Sequence, residues 1–319
     1  MKKYIVFIIA SLLFAMAAAG QAQTPTGNGS GNKLRVVATI FAPYDFAREI
    51  AADKADITML LSPGSESHSY EPTPRDIIKI QNCDIFIYAG GNSDAWVDRI
   101  LSSMNTSNMK IIKLMDCVEA AEEEIVEGME GDSDRGHDNG EEEAEYDEHV
   151  WTSPKNAKTI VQKIADTLCE VDAANADAYK ANASVYLKKL DSLDSAFKEV
   201  VNNAVRRVIV FGDRFPFRYF ADAYGLKYSA AFPGCSTDTE PSARTVAFLI
   251  DKIKKDAIPV VFHIELSNER MARTISEATG AKVLLLHSCH NITRDDFHSG
   301  ISYLDLMNRN VIALKEALQ

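Results

Sequence analysis

No cysteine precedes Cys83, and none of the five (Cys83, Cys117, Cys169, Cys235 and Cys289) sits at C-x-x-C spacing. The first absence leaves no lipid-attachment cysteine near the N-terminal apolar stretch. The second argues against a thiolate zinc site or a dithiol redox motif. H-E-x-x-H, the helical signature of a zinc hydrolase, does not occur. Positive charge is in deficit, with 34 Lys and Arg against 46 Asp and Glu and a formal charge of −12, which argues against nucleic acid and anionic membrane surfaces as partners. No fixed-period repeat runs through the chain.

The N-terminus reads as an export signal over residues 1–22. Lys2 and Lys3 precede the apolar run Tyr4 to Ala19, with small-residue cleavage options at Ala17–Ala19 or Gly20–Ala22. The run is short for a membrane-spanning helix, so the expectation is a cleaved signal and a periplasmic, soluble product. Residues 23–32, rich in Gly, Ser, Thr and Asn, read as a flexible linker. An oxidising compartment permits disulfides. Cys235 and Cys289, both beyond strands, form a candidate pair whose connectivity the sequence leaves open, while Cys83 reads as a buried thiol.

Beyond the linker, strands and helices alternate. Strands are expected at Leu34–Ile40, Ile57–Leu61, Asp84–Ala89 and Ile111–Leu114, with helices from Pro43, Pro74 and Ala95 between them. A helix follows at Pro154–Val171. The second half carries strands at Val208–Phe211, Lys227–Ala231, Val260–Ile264 and Val283–Leu286, and helices near Pro216–Tyr224, Pro241–Asp256, Asn268–Ala278 and Phe297–Ala317. Between the halves, Tyr179, Ala183, Tyr186, Leu187, Leu190, Leu193, Phe197 and Val200 trace an apolar stripe along a long helix over Ala173–Ala204, on the order of 45 Å at 1.5 Å per residue. The fold class is α/β. Two lobes (33–172 and 205–319), each a roughly four-stranded parallel sheet with flanking helices, are joined by one long helix (173–204).

Residues 119–148 break the alternation. Glu122-Glu123-Glu124 and Glu141-Glu142-Glu143 flank further acids and His137. So charged a segment buries too little apolar area to offset its ordering entropy, and it reads as a disordered acidic insertion that collects cations weakly.

Three histidines fall in loops where such a fold gathers its ligands, beyond strand ends. His68 follows the Pro63-Gly64 turn, His149 precedes Val150-Trp151, and His287 ends the apolar run Val283-Leu284-Leu285-Leu286. Imidazoles meeting at one edge suit Zn²⁺ better than Mg²⁺ or Ca²⁺. His290, three residues on, is either a fourth ligand or a supporting group. His263, between Phe262 and Ile264, reads as a packing residue, and His298 as surface. Asp213, Glu240 and Glu265 are the carboxylates near strand ends.

Five stretches carry a resemblance: Pro63-Gly64 through His68-Ser69-Tyr70-Glu71-Pro72-Thr73-Pro74, His149-Val150-Trp151-Thr152-Ser153-Pro154, Phe217 to Leu226, Ser236 to Ser242, and a terminal tract with Tyr303, Met307 and Asn310. Together they resemble the zinc/manganese-binding solute-binding proteins of ABC importers, over nearly the whole mature chain. The resemblance implies two α/β lobes joined by a long helix, with a metal between them. It also implies a non-enzymatic, monomeric carrier that captures Zn²⁺ with high affinity and delivers it to a membrane permease. By the same resemblance the family's third ligand position falls on Arg214, which cannot ligate, and its fourth on His287. The implied ligand set is therefore His68, His149 and His287, completed by Asp213 or water. The same role for Mn²⁺ or Fe²⁺, a secreted metal-dependent hydrolase using Glu66 or Glu240 as base, and a metal buffer acting through the acidic segment are the alternatives.

Overall fold

A computed structural model describes residues 33–66, 70–129, 145–236 and 240–319. The proposed export signal, His68 and His137 lie outside them.

Four short strands, β1 (Leu34–Ala38), β2 (Ala55–Met59), β3 (Ile85–Tyr88) and β4 (Lys110–Lys113), form a parallel sheet in the order β2-β1-β3-β4. Every residue of β3 is buried, as expected of a central strand covered on both faces. The crossovers are α1 (Phe41–Ala51), α2 (Pro74–Gln81) and α3 (Ala95–Ser103). Helix α2 starts where its sequence says it should. Thr73 caps it through the Asp76 amide, Asp76 reaches back to the Thr73 amide, and Pro74 fills the first turn.

The chain then runs through α4 (Pro154–Val171) and α5 (Ala176–Asn202). The second half contains β5 (Val208–Val210), β6 (Arg214–Phe215), α6 (Arg218–Tyr224), β7 (Lys227–Ser229) and β8 (Phe232–Pro233). After these come α7 (Ala243–Lys255), β9 (Val260–His263), α8 (Arg270–Thr279) and β10 (Lys282–Leu285). Parallel pairs β5–β7 and β9–β10 are joined by a parallel bridge between Phe211 and Phe262, giving the order β7-β5-β9-β10. The short pair β6–β8 extends toward the cleft described below.

Helix α5 buries Tyr179, Ala183, Tyr186, Leu190, Leu193, Phe197 and Val201; of the expected stripe, Leu187 and Val200 are only half-buried, and Val201 is buried in place of Val200. It packs against α1, α4 and α6, and against the terminal helix α10 (Tyr303–Leu318). One continuous core runs from Val36 through this stripe to Leu318. The helix is therefore more than a strut between separate cores: its apolar face is the shared wall of both halves.

Three expectations are corrected. The single helix expected at Phe297–Ala317 is two, α9 (Arg294–His298) and α10. Gly300, at φ 72, turns the chain between them, and Ser302 with Asp305 builds a new capping box. All five cysteines are free. Cys289 sits in the shared core, whereas the Cys235 amide donates to Glu123, so the two thiols belong to different surroundings. The acidic insertion is ordered at both ends. Glu122 and Tyr146 form an antiparallel bridge, the Asp147 amide donates to the Ala121 carbonyl, and Asp147 and Glu148 are buried. Among the described residues, no helix is long and apolar enough to cross a membrane.

Candidate metal centre

His149 stands at the start of a short 3-10 turn, Val150–Thr152, which returns the chain from the acidic segment to α4. Val150 and Trp151 are wholly buried and fix that turn. The Trp151 indole donates to the Ser288 carbonyl at 2.8 Å, and the Tyr303 hydroxyl donates to the Trp151 carbonyl at 2.7 Å. The second half thus pins the turn from two sides.

Asp147 orients the imidazole. Its Oδ1 lies 2.9 Å from His149 Nδ1 and accepts the His149 amide at 2.7 Å. A proton held on Nδ1 leaves Nε2 as the basic nitrogen. Burial alone pushes the imidazole pKa down, but the Asp147 charge and hydrogen bond, with Glu148 and Glu123 behind them, hold it above the ordinary value.

His290 arrives from the loop after β10. Glu265 organises that loop: its Oε1 accepts the Ser288 hydroxyl at 2.6 Å and the His290 amide at 3.0 Å, and its Oε2 accepts the Ser288 amide at 2.7 Å. Cys289, at φ 60, reverses the chain and swings His290 toward His149. The two imidazole centroids are 5.3 Å apart, and Trp151 packs against both, at 5.4 Å from His149 and 5.1 Å from His290.

A carboxylate completes the group. Glu148, His149 and His290 are all buried, and one donor atom from each can be chosen so that all lie within 4.8 Å of one another. Glu148 accepts the Ser93 amide at 3.0 Å and the Ser93 hydroxyl. Burial raises its pKa, against the opposing pull of His149 and Ser93. Gly91 is required here. At φ 71 it tolerates what other residues resist, and a Cβ on it would lie 2.5 Å from Glu148 Oε2.

Beside His149 and His290 lies a cavity of ≈ 30 Å³, lined also by Glu66, Arg214, Glu265 and Asn291. It has room for an ion or a water but not for an organic solute. Two imidazoles and a carboxylate, oriented by Asp147, Glu265 and Ser93, form a donor set suited to a borderline-soft divalent metal.

The structure divides the residues singled out by sequence. His149 is in the group. His68 lies outside the described residues, two positions past the cavity-lining Glu66. His287 is buried, and α10 holds its backbone. Its amide donates to Asn310 at 2.7 Å, its carbonyl accepts from Asn310 at 2.8 Å, and its Nδ1 accepts the Cys289 amide at 3.0 Å. Burial lowers its pKa. The group of donor atoms within 4.8 Å of one another comprises Glu148, His149 and His290, and His287 is not among them. Asp213 is likewise outside. Its oxygens accept the Arg214 and Ile264 amides, and it does not line the cavity. Glu240 is largely exposed and pairs with Arg270. His263 packs as expected, with Nδ1 2.9 Å from the Ile264 carbonyl. Sequence reasoning missed Glu148 and the orienting Asp147, and left His290 open. The available signal was the triplet Asp147-Glu148-His149, obscured because it was assigned to the disordered insertion.

Residues 36–317 match the family described as ZnuA, zinc-uptake complex component A periplasmic. The chain is 35% identical over 321 residues to the zinc-binding lipoprotein AdcA of Streptococcus pneumoniae, covering 98% of this chain but 61% of that protein, so it spans about three-fifths of that relative's length. It is 32% identical over 316 residues to the high-affinity zinc uptake system protein ZnuA of Bacillus subtilis, covering 98% of this chain and 96% of that one. The solved Zn(II)-bound ZnuA-like domain of S. pneumoniae AdcA superposes with a TM-score of 0.73 at 31% identity, over 90% of this chain and 99% of that domain.

Proposed function

We propose that this chain, which belongs to the family of periplasmic zinc-uptake component A proteins, captures Zn²⁺ outside the cytoplasm and hands it to the membrane permease of an ABC importer. The observation that carries this reading is the convergence of the buried His149 and His290, with Glu148 beside them, at a cavity of ion size. Zinc binding and high-affinity zinc uptake are what the names of the relatives AdcA and ZnuA describe. Imidazole donors favour Zn²⁺ over Mn²⁺, which prefers oxygen.

The proposed ligands are the Nε2 atoms of His149 and His290 and the Glu148 carboxylate, together with His68, whose loop adjoins the cavity through Ser65 and Glu66. His287 and Asp213 stay outside this set. The protein acts as a monomeric, non-enzymatic carrier, exported with its N-terminal signal removed. Binding must be tight yet reversible, and ligands supplied from both halves of the molecule suit that demand, since separating the halves would dismantle the site.

The test is metal analysis of protein purified without added metal, followed by competitive titration with Zn²⁺, Mn²⁺ and Fe²⁺. Near-stoichiometric zinc and a preference for Zn²⁺ are expected. Absence of a tight zinc site, or a preference for Mn²⁺, would overturn the reading.

A further inference from the structure

Arg214 lines the same cavity as His149 and His290. A guanidinium is never a ligand, and a fixed cation near an incoming dication is repulsive. Its contacts give it another use. One terminal nitrogen donates to Glu66 Oε1 at 3.0 Å, and the other donates to the Ser236 carbonyl at 3.2 Å. Glu66 belongs to the β2–α2 connection of the first sheet, whereas Ser236 follows β8 in the second half. The Arg214 side chain is 12% exposed, so the pair is shielded on the arginine side more than surface pairs usually are.

The start of the Glu66 loop is already stitched to the second half. The Gly64 amide donates to the Ile292 carbonyl at 2.8 Å, and the Asn291 side chain donates to the carbonyls of Ser62 and Ser65 at 2.9 and 2.7 Å. Those bonds hold the side of the loop nearest α9. Arg214 reaches it from the opposite wall.

We propose that Arg214 is a positioning residue that clasps the cleft: by holding Glu66 and the Ser236 carbonyl together it sets the rate at which bound metal leaves. This rests on the zinc-carrier reading, and the two are separable by experiment.

The sign of one measurement decides between a clasp and a bystander cation. Arg214→Gln removes the charge and the paired hydrogen bonds while keeping a polar side chain of intermediate length. Were Arg214 only a nearby positive charge, the substitution would tighten zinc binding and slow release. As a clasp, its loss speeds release by about 10–100-fold, the range typical of removing a group that supports a metal site. Release is read by stopped-flow transfer of Zn²⁺ to a chelator, with thermal melting of the metal-free variants to check folding. Glu66→Gln should accelerate release likewise, and the double variant should be no faster than Arg214→Gln alone, because Arg214→Gln already breaks the bond the two residues share. Release that is unchanged or slower in Arg214→Gln, or effects that add in the double variant, would overturn the clasp. Failure of the wild type to bind zinc would instead overturn the carrier reading.

Discussion

Glu265 grips the backbone of His290: its Oε1 accepts the His290 amide at 3.0 Å, while the same carboxylate takes both the hydroxyl and the amide of Ser288. A carboxylate buried among three donors has no place for a donor of its own. Glu265→Gln is therefore expected to point its NH₂ at an amide or hydroxyl, costing about 1–3 kcal/mol of stability and displacing the His290 loop. Zinc affinity should fall by about 10–100-fold. Competitive titration with chemical denaturation checks both; unchanged affinity would show that His290 is not positioned this way, or not a ligand.

The two histidines after β10 separate cleanly. His290→Ala and His149→Ala should weaken zinc binding by more than the roughly 10–100-fold that losing a supporting group costs. His287→Ala should leave affinity near wild type. It removes the acceptor of the buried Cys289 amide, so its cost appears in stability, about 1–3 kcal/mol. A His287→Ala protein with lost affinity and wild-type stability would reverse the assignment.

Much of the architecture was legible in the sequence because it rests on local rules. Pro154 opens α4 and Thr73-Pro74 open α2 as capping chemistry dictates, and the stripe from Tyr179 to Phe197 marks α5. What stayed hidden depended on turns and long-range packing. Nothing in His287-Ser288-Cys289-His290 says which imidazole lies beside His149; the left-handed Cys289 and the grip of Glu265 on the His290 amide belong to the folded loop, where His290 packs 5.3 Å from His149. The insertion's ends were obscured for a related reason. Composition describes Glu123, Asp147 and Glu148 as solvated charge, whereas the Cys235 amide, the His149 amide and Ser93 satisfy them in the interior.

Proton competition should be measurable. Zinc binds the neutral imidazole, and His149 has a raised pKa in the metal-free protein, with burial opposed and outweighed by Asp147. A raised pKa means the proton competes at higher pH, so affinity is level above the shifted pKa and falls as pH drops through it, by about tenfold per unit for each proton displaced. Asp147→Asn removes the main raising influence and should move the onset of this decline to lower pH, even as it weakens binding by loosening the ring. Titrations across pH 5 to about 8 compare the two profiles, bracketing the ordinary histidine value. An identical onset would mean that Asp147 does not govern the His149 proton.

The acidic segment offers a test in two parts. Residues 130–144 contain no Val, Leu, Ile, Phe, Met, Trp or Tyr, so their removal forfeits little apolar burial. Replacing them with a short Gly-Ser bridge should leave the melting temperature and the tight zinc site intact, while reducing the number of weakly bound ions, whose attraction to dense carboxylates is screened by salt. Extending the deletion to 119–145 should behave differently. It removes the Ala121 carbonyl that accepts the Asp147 amide, the Ala121 amide that donates to the Tyr219 hydroxyl, the Glu123 carboxylate that accepts the Cys235 amide, and Glu124, which pairs with Arg218. Asp147 would lose its support on one side, and His149 its alignment with it. The expected result is a lower melting temperature, about 2–4 °C for each kcal/mol lost in a chain of this size class, together with weakened zinc binding. Equal behaviour of the two deletions would mean that the ordered ends contribute nothing to the site. Loss of tight binding on removing 130–144 alone would assign a ligand to that stretch, with His137 the first residue to substitute.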